Sequence, residues 1–372
     1  MTHHRLIILV FSLLLSTLFI GKPVQAGEIN VGQIREVKQP VTVVRGDGQK
    51  VTAEEKLPLF AGDQIVTGKA GSVRFTIENG GEFRLGEESQ ASVDELSSRD
   101  ADENPPKLRL VLGYLWSKIM KIKGGKAALE IYTPTAVAGI RGTEFETVVS
   151  LDAGTVVTVD EGSVEVSNDE ASIRVDQGKM TEVELDGKPS TPVAAIPKDQ
   201  RDWKAWRKKR IRRLFQNLPQ TAPRFEKRFK RATFRSKRFT DKVNRQANDI
   251  RENIQKLRDA KQSRNRQAFF RVREQLRQQV PRFREMVGQF RKGLNRVRTM
   301  GRLSHRVEKF VADNKDRFSA QDLTTIESSL NVISLKRMQL RSIYRRTIQN
   351  IRQTFRELRE LRQEFRRTGG TA

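Results

Sequence analysis

The sequence predicts a chain in two parts, an all-β domain followed by an elongated all-α bundle. Short alternating strands with regular turn signals fill the first part, and apolar residues at helical spacing fill the second. The net charge changes sign between them. It is −9 over residues 27–197, with 19 basic and 28 acidic residues, and +33 over residues 198–372, with 50 basic and 17 acidic residues. Residues 191–197 are rich in proline and are interpreted as the linker.

The chain begins with the pattern of a secretory signal peptide. A short basic stretch precedes an apolar run from Leu6 to Ile20, and Val24-Gln25-Ala26 offers small residues before a cleavage site. The run is short for a membrane span of about 20 residues. We therefore expect residues 1–26 to be removed by cleavage between Ala26 and Gly27. Export to the periplasm follows from this, with association to the outer membrane or cell surface left open.

Residues 27–190 carry the signals of many short strands. Val73, Phe75 and Ile77 alternate with polar residues, as on a half-buried strand. Turn signals such as Asn79-Gly80-Gly81 recur at even spacing. This regularity favours a sandwich or a solenoid-like β-domain over a βαβ fold.

Two runs within this part resemble the FecR domain. The first is Leu59-Phe-Ala-Gly-Asp-Gln-Ile-Val-Thr-Gly68, and the second is Thr133-Pro-Thr-Ala-Val-Ala-Gly-Ile-Arg-Gly-Thr-Glu-Phe145. The resemblance implies an exported all-β interaction module. Founding members of the family relay the occupancy of an outer-membrane transporter to a cytoplasmic sigma factor. Only five residues precede the apolar run here, so we do not expect that sigma-regulator role to carry over.

The matching residues are interpreted as structural or as partner contacts. Gly139 and Gly142 bracket Arg141, which predicts a tight corner that needs positive φ or close backbone approach. Arg141 would either grip a carboxylate of a partner or bond the carbonyls of its own turn, and the adjacent glycines favour the second role. The motif positions singled out are Gly62, Asp63, Thr133, Pro134, Gly139, Arg141, Gly142, Thr143 and Phe145.

Residues 198–372 predict long helices. Apolar residues from Leu276 to Val297 recur in steps of four and three, the heptad spacing of a coiled-coil seam. We expect a first helix to end before Pro219 and a later one to kink or break at Pro281. Three segments of about 40–50 residues predict an antiparallel bundle about 60–75 Å long. The pattern does not distinguish closure within one chain from homo-oligomer formation through the helices.

The strongest cationic run lies at the start of the helical part. The excess of basic residues in the helical part causes electrostatic repulsion, and we expect an anionic partner to offset it. Export argues against nucleic acid, so the expected polyanions are anionic lipid, lipopolysaccharide or a wall polymer. The alternative is neutralisation within the chain or between copies. The residues predicted to contact an anionic surface are Trp203, Lys204, Trp206, Arg207, Lys208, Lys209, Arg210, Arg212 and Arg213.

The sequence offers little for catalysis. It has no Cys, and His305 is the one His beyond the signal peptide. No serine-hydrolase, zinc-protease or phosphate-loop motif is present. We therefore predict a non-enzyme without catalytic residues, cofactor or metal.

Two functional classes remain. The first is an envelope adaptor whose β-domain binds a protein or glycan and whose helices bind a polyanion or self-associate. The second is a sensory module that relays an envelope signal to a separate membrane transducer.

Overall fold

The computed structural model describes residues 30–78, 81–94, 96–97, 107–119, 129–140 and 142–367. The predicted cleavage site at Ala26 and Gly27, and the motif residue Arg141, lie outside the described residues. The first part is built from strands and the second from three long helices, which confirms the predicted fold class. Within the described ranges, none of the helices has the length and apolarity needed to cross a membrane.

In the part of the β-domain that the structure describes there are seventeen strands. They are β1 (Asn30–Lys38), β2 (Val41–Val44), β3 (Lys50–Thr52), β4 (Pro58–Phe60), β5 (Gln64–Thr67), β6 (Ser72–Ile77), β7 (Gly81–Leu85), β8 (Gln90–Val93), β9 (Lys107–Lys118), β10 (Leu129–Tyr132), β11 (Val137–Ile140), β12 (Glu144–Val149), β13 (Thr155–Glu161), β14 (Ser163–Ser167), β15 (Ser172–Asp176), β16 (Lys179–Val183) and β17 (Val193–Ala194). Because β17 pairs with β16, part of the proline-rich stretch belongs to the sheet.

The strands make two sheets that share β9. One sheet has the order β4-β1-β6-β7-β9-β12-β13-β16-β17, and the other has the order β3-β2-β5-β8-β9-β10-β11-β14-β15. Strand β9 changes sheet at Gly113, where φ is 104°. A Cβ at this position would lie 2.0 Å from Ser89 Oγ, so the crossover requires glycine. One apolar core, including Val43, Phe75 and Phe145, joins the two sheets.

The three helices form an up-down-up bundle within one chain. They are α1 (Trp203–Gln262), α2 (Arg266–Ala312) and α3 (Ala320–Arg367), about 90, 70 and 72 Å long at 1.5 Å per residue. Ring contacts at Phe215–Phe310 and Phe283–Phe355 show that α2 runs antiparallel to both neighbours. The Arg258–Glu364 ion pair links the same ends of α1 and α3. The bundle closes within one chain here, and homo-oligomer formation through the helices stays a prediction.

The prediction that the first helix ends before Pro219 is wrong. Helix α1 continues through Pro219 and Pro223, and α2 is unbroken at Pro281. Each interior proline removes one backbone hydrogen bond and costs about 3 kcal/mol or more. On either side of the α1 prolines, Leu218 and Phe225 are buried in the core shared with the β-domain. This burial offsets the loss, because it is available only if the helix continues.

Candidate functional site

The first motif segment serves the β-domain itself. Asp63 is 1% exposed, and its carboxylate accepts hydrogen bonds from Arg45 Nη1 at 2.5 Å and from the Phe60 backbone N–H at 2.8 Å. Gly62 beside it has φ of 102°, which glycine adopts without strain. Both hydrogen bonds end on Oδ2 of Asp63, and together with Gly62 they fix the turn between β4 and β5.

The second motif segment is partly structural and partly a contact to α1. Thr143 Oγ1 donates to the Ser163 carbonyl at 2.9 Å, and Phe145 is completely buried. Thr133 Oγ1 accepts from the Ala136 N–H at 2.9 Å and holds a turn. The carbonyl of Pro134, in that turn, accepts from Nε of Arg228 at 3.1 Å.

The two motif glycines differ in conformation. Gly142 has φ of 61°, as expected for a tight corner. Gly139 lies inside β11, and a Cβ there would have no atom nearer than 3.8 Å. Of these two glycines, only Gly142 shows the positive φ that was predicted for a tight corner.

The start of α1 is seated on the β-domain through Glu146. This carboxylate is 4% exposed and accepts from Trp203 Nε1 at 2.7 Å, Arg201 Nη1 at 3.1 Å and Tyr114 Oη at 2.9 Å. Arg201 also donates to Asp160 at 2.7 Å. Trp203 therefore has its indole inside the junction.

Arg210 anchors the next turn of the helix. Its guanidinium donates to Asp152 Oδ2 at 2.9 Å, Glu182 Oε1 at 2.5 Å and Glu184 Oε2 at 2.5 Å. Its Cζ lies 5.0 Å from the centre of the Trp206 ring. Burial opposes the charge, but the hydrogen bonds that Arg210 donates to Glu184 and Asp152 outweigh it and raise the pKa of Arg210. Arg210 is thus a charged residue held between three carboxylates of the β-domain.

Helix periodicity divides the predicted anionic-surface contacts between two faces. Trp203, Arg207 and Arg210 face the β-domain and are buried, and Lys204 pairs with Glu87 at 2.6 Å. Trp206 is half-buried against Trp203. The run remains exposed at Lys208, Lys209, Arg212 and Arg213. For these four residues contact with an anionic surface stays a prediction.

Helix α2 contacts the β-domain through a second set of charges. Arg291 Nε donates to Asp94 Oδ1 at 3.0 Å, and both side chains are almost fully buried. Arg109 Nη1 donates to Asn295 Oδ1 at 2.7 Å. Burial opposes ionisation of Asp94, but Arg291 and Arg109 outweigh it and hold its pKa at about 2.

Apolar packing makes the junction part of a continuous core. Leu96, Val111 and Leu185 of the β-domain belong to the same buried cluster as the seam of the helical bundle. Sequence reasoning missed this contact, together with Arg201, Arg228 and Arg291. Each of these arginines bonds a β-domain residue more than 40 positions away in the chain, and no local spacing could reveal such a contact.

A groove of about 670 Å³ runs along the junction. Its carboxylates all have structural partners: Glu87 binds Lys204, Glu146 binds Trp203, and Asp202 caps α1 by accepting from the Ala205 N–H. The other charged residues of its lining are Lys38, Arg84, Lys198, Arg201 and Arg207. The groove is therefore cationic, and its carboxylates are bonded to the fold.

The outer face of α1 carries a further cationic surface. Lys227, Arg231, Phe234, Arg238, Lys242 and Arg245 are separated by three or four residues, so they align on one side of the helix. We call these six residues the cationic stripe. All six are exposed, and the Phe234 side chain is 74% exposed. At 1.5 Å per residue the stripe is about 27 Å long.

Comparison with known proteins identifies the β-domain. Residues 63–165 match the model of the family described as FecR protein, which confirms the resemblance. The segment includes every motif residue except Gly62. No curated protein matches the chain.

Two crystal structures of a candidate anti-sigma factor from Parabacteroides distasonis ATCC 8503 are similar to part of the chain. One is 17% identical with a TM-score of 0.30, and covers 35% of this chain and 59% of that one. The other is 18% identical with a TM-score of 0.24, and covers 45% and 59%. The chain thus spans less than two thirds of the length of these structures.

Proposed function

We propose that this chain, whose β-domain is a FecR domain, is a non-catalytic envelope adaptor that attaches to an anionic surface through its helices. In this proposal the chain is exported and its signal peptide is removed. The helical bundle holds the FecR domain at a fixed orientation. The FecR domain remains available on its other faces to bind a protein or glycan.

The cationic stripe is the observation that carries the proposal. The buried positions of α1, such as Phe225, Phe229 and Val243, lie on the opposite side of the helix, so the stripe takes no part in closing the bundle. Within the described part of the chain, its five cations have no carboxylate within ion-pair distance. Self-repulsion along such a row is relieved when an anionic surface approaches.

The composition of the stripe fits a phospholipid surface. Cations attract headgroup phosphates at about 1 kcal/mol each near an anionic bilayer. An exposed aromatic ring among them can enter the interface while the longer Lys and Arg chains reach the phosphates. Phe234 lies in the middle of the row, between Arg231 and Arg238.

Co-sedimentation of residues 27–372 with vesicles tests the proposal. We expect binding to anionic vesicles at about 0.05 M salt and its loss at about 0.5 M, where the Debye length falls from about 14 Å to about 4 Å. Zwitterionic vesicles should bind weakly at both salt concentrations. Replacing all five stripe cations by Gln should lower the binding constant at least about tenfold.

Two matched variants locate the binding. One replaces five exposed arginines of α3 by Gln, namely Arg341, Arg345, Arg346, Arg356 and Arg362. The other replaces Lys208, Lys209, Arg212 and Arg213. If the α3 variant loses as much vesicle binding as the stripe variant, the assignment of binding to the stripe is wrong. Failure of the parent to bind anionic vesicles would overturn the attachment itself.

A sensory role is the second candidate function, and the FecR match favours it. In that case the FecR domain would contact a membrane transducer. Cross-linking in intact cells, followed by mass spectrometry, would distinguish a transducer from a structural envelope partner.

A further inference from the structure

The junction groove contains three cations that form no ion pair within the described part of the chain. Three of the six cations in its lining do pair with carboxylates of the FecR domain, namely Lys198, Arg201 and Lys204. No described carboxylate lies within ion-pair distance of the other three, which are Lys38, Arg84 and Arg207. The side chains of Lys38 and Arg84 are exposed, so a ligand from solution can reach them.

Arg207 supplies positive charge from the helix side of the groove. Its side chain is 8% exposed, and Nη1 and Nη2 donate to the backbone carbonyls of Glu88 and Glu87, both at 3.3 Å. Its buried Nε has no hydrogen-bond partner within the described residues. Burial lowers the pKa of Arg207, and the nearby carboxylates of Glu88 and Glu87 oppose this lowering only in part. The fold therefore holds this guanidinium at the groove without a bonded carboxylate.

Lys38 and Arg84 lie apart on one face of the sheet. Lys38 of β1 is opposite Ser72 of β6, and Arg84 of β7 is opposite Arg74 of β6. Opposite residues share a face, so both side chains point outward with Ser72 and Arg74. Two strand spacings of about 4.8 Å and two residues of about 3.4 Å along β6 place their Cα atoms about 12 Å apart. An extended ligand with several negative charges matches this separation better than a single small anion does.

The remaining lining suits a peptide chain. Ala70, Gly71 and Gly86 are small and leave room for a backbone. Trp203 is buried and Tyr114 is half-buried, and the polar atoms of both donate to Glu146. Within the described lining neither aromatic residue is exposed. The groove therefore offers small residues beside positive charge, which fits an extended backbone with acidic side chains.

We propose that this groove binds an extended acidic peptide, such as an Asp-rich or Glu-rich segment of a partner protein. Its carboxylates pair with Lys38 and Arg84 on the sheet side, while Arg207 adds positive charge from the helix side. The inference rests on the adaptor role proposed above and specifies the chemistry of the protein that the FecR domain binds. The groove is separate from the cationic stripe.

Titration of residues 27–372 with hexaglutamate, followed by tryptophan emission, tests this site. All three tryptophans of the chain are close to the groove: Trp203 lines it, Trp206 contacts Trp203, and Trp116 is opposite Arg84 on the neighbouring strand. We therefore expect a saturable change in emission at about 0.15 M salt, where the Debye length is about 8 Å. Hexaglutamine, which has the same length and no charge, should cause no change.

Two double variants with the same change in charge locate the binding. Lys38→Gln with Arg84→Gln should weaken hexaglutamate binding about fivefold or more, because two ion pairs to the peptide are lost. Both side chains are exposed, so this variant should fold like the parent. Lys50→Gln with Lys179→Gln is the control. These lysines are exposed in the same domain outside the groove lining, and the control should bind like the parent.

Equal weakening in the two double variants would show general attraction to a basic chain and would overturn the site. The absence of a saturable change in the parent would also overturn it. Displacement of hexaglutamate by inorganic phosphate at the same concentration would contradict an extended ligand, and binding of an oligouronate instead of hexaglutamate would contradict a peptide. The Lys38 and Arg84 variant should keep vesicle binding, and the stripe variant should keep hexaglutamate binding, so the two proposals can fail separately.

Discussion

Replacing Arg210 by Ala should weaken the junction between the FecR domain and the helices. The Arg210 side chain is 7% exposed and bonds three carboxylates, from Asp152, Glu182 and Glu184. It also covers Gly154, where an added Cβ would lie 2.3 Å from its Nη2. The substitution therefore removes charge pairing and packing at the same position.

The expected cost follows from the exposure of the partners. Breaking a buried ion pair costs about 3–5 kcal/mol when the remaining charge stays buried. Here the Glu182 and Glu184 side chains are 36% and 56% exposed, so water can solvate them once the arginine is gone. We expect a loss of about 2–3 kcal/mol for Arg210→Ala. Arg210→Lys keeps the charge without the fork and should lose about half as much.

Urea unfolding of residues 27–372, followed by circular dichroism, measures this loss. Arg212 is exposed on the other side of the same turn, so Arg212→Ala is the control and should stay within about 0.5 kcal/mol of the parent. Indistinguishable stabilities for the two variants would refute the reasoning. A change in the denaturant slope would indicate separate unfolding of the two parts, and the midpoints would then be read separately.

The pH dependence of the same variant gives an independent check. The hydrogen bond from Arg210 lowers the pKa of Glu184 below its ordinary value of 4.5, against the effect of burial. Glu184 therefore contributes stability that is present above pH 4.5 and is lost as the pH falls through its lowered pKa. Arg210→Ala removes this contribution, so the difference in free energy of unfolding between parent and variant should become smaller as the pH falls.

Two further predictions concern the buried acid and the signal peptide. Asp94→Asn should cost about 3–5 kcal/mol near neutral pH, because it removes the buried carboxylate charge that pairs with buried Arg291. The pKa of Asp94 is about 2, below its ordinary value of 3.8, so the ionised carboxylate stabilises the folded protein above pH 3.8 and this contribution is lost as the pH falls towards 2. Urea midpoints of parent and variant between pH 2 and 7 measure this loss. N-terminal sequencing of the exported protein should begin at Gly27. A chain that still begins at Met1 and is found in the membrane fraction would contradict this prediction and indicate an uncleaved membrane anchor.

The parts of the fold that depend on local pattern could be predicted from the sequence. Alternation around Phe75 and heptad steps from Leu276 report which face of an element is buried, and the structure has a strand and a helix there. At the start of α3, Ser319 Oγ accepts from the Asp322 N–H at 3.1 Å, a cap that links residues only three apart in the chain. Continuity through Pro219 could not be predicted, because it depends on packing against a distant sheet.

The cationic run at the start of α1 illustrates what the charges in a sequence do not predict. Composition alone marks Lys204 to Arg213 as a dense cluster of one sign. Composition does not reveal that every third or fourth residue faces the acidic FecR domain. The stripe from Lys227 to Arg245 is less dense in sequence, yet all of its members are exposed. Exposure on one face, rather than density along the chain, decides which cations can meet an external anion.

The distribution of charge also explains why the FecR domain docks on one side of α1. Burying Arg210 is favourable only where carboxylates meet it, and the FecR domain supplies Glu184 and its neighbours at that surface. Turning α1 so that the stripe faced the sheet would bury Arg231 and Arg238 and would expose Phe229. Such an arrangement loses both apolar burial and charge pairing. The stripe is therefore directed away from the FecR domain by the same interactions that hold the junction together.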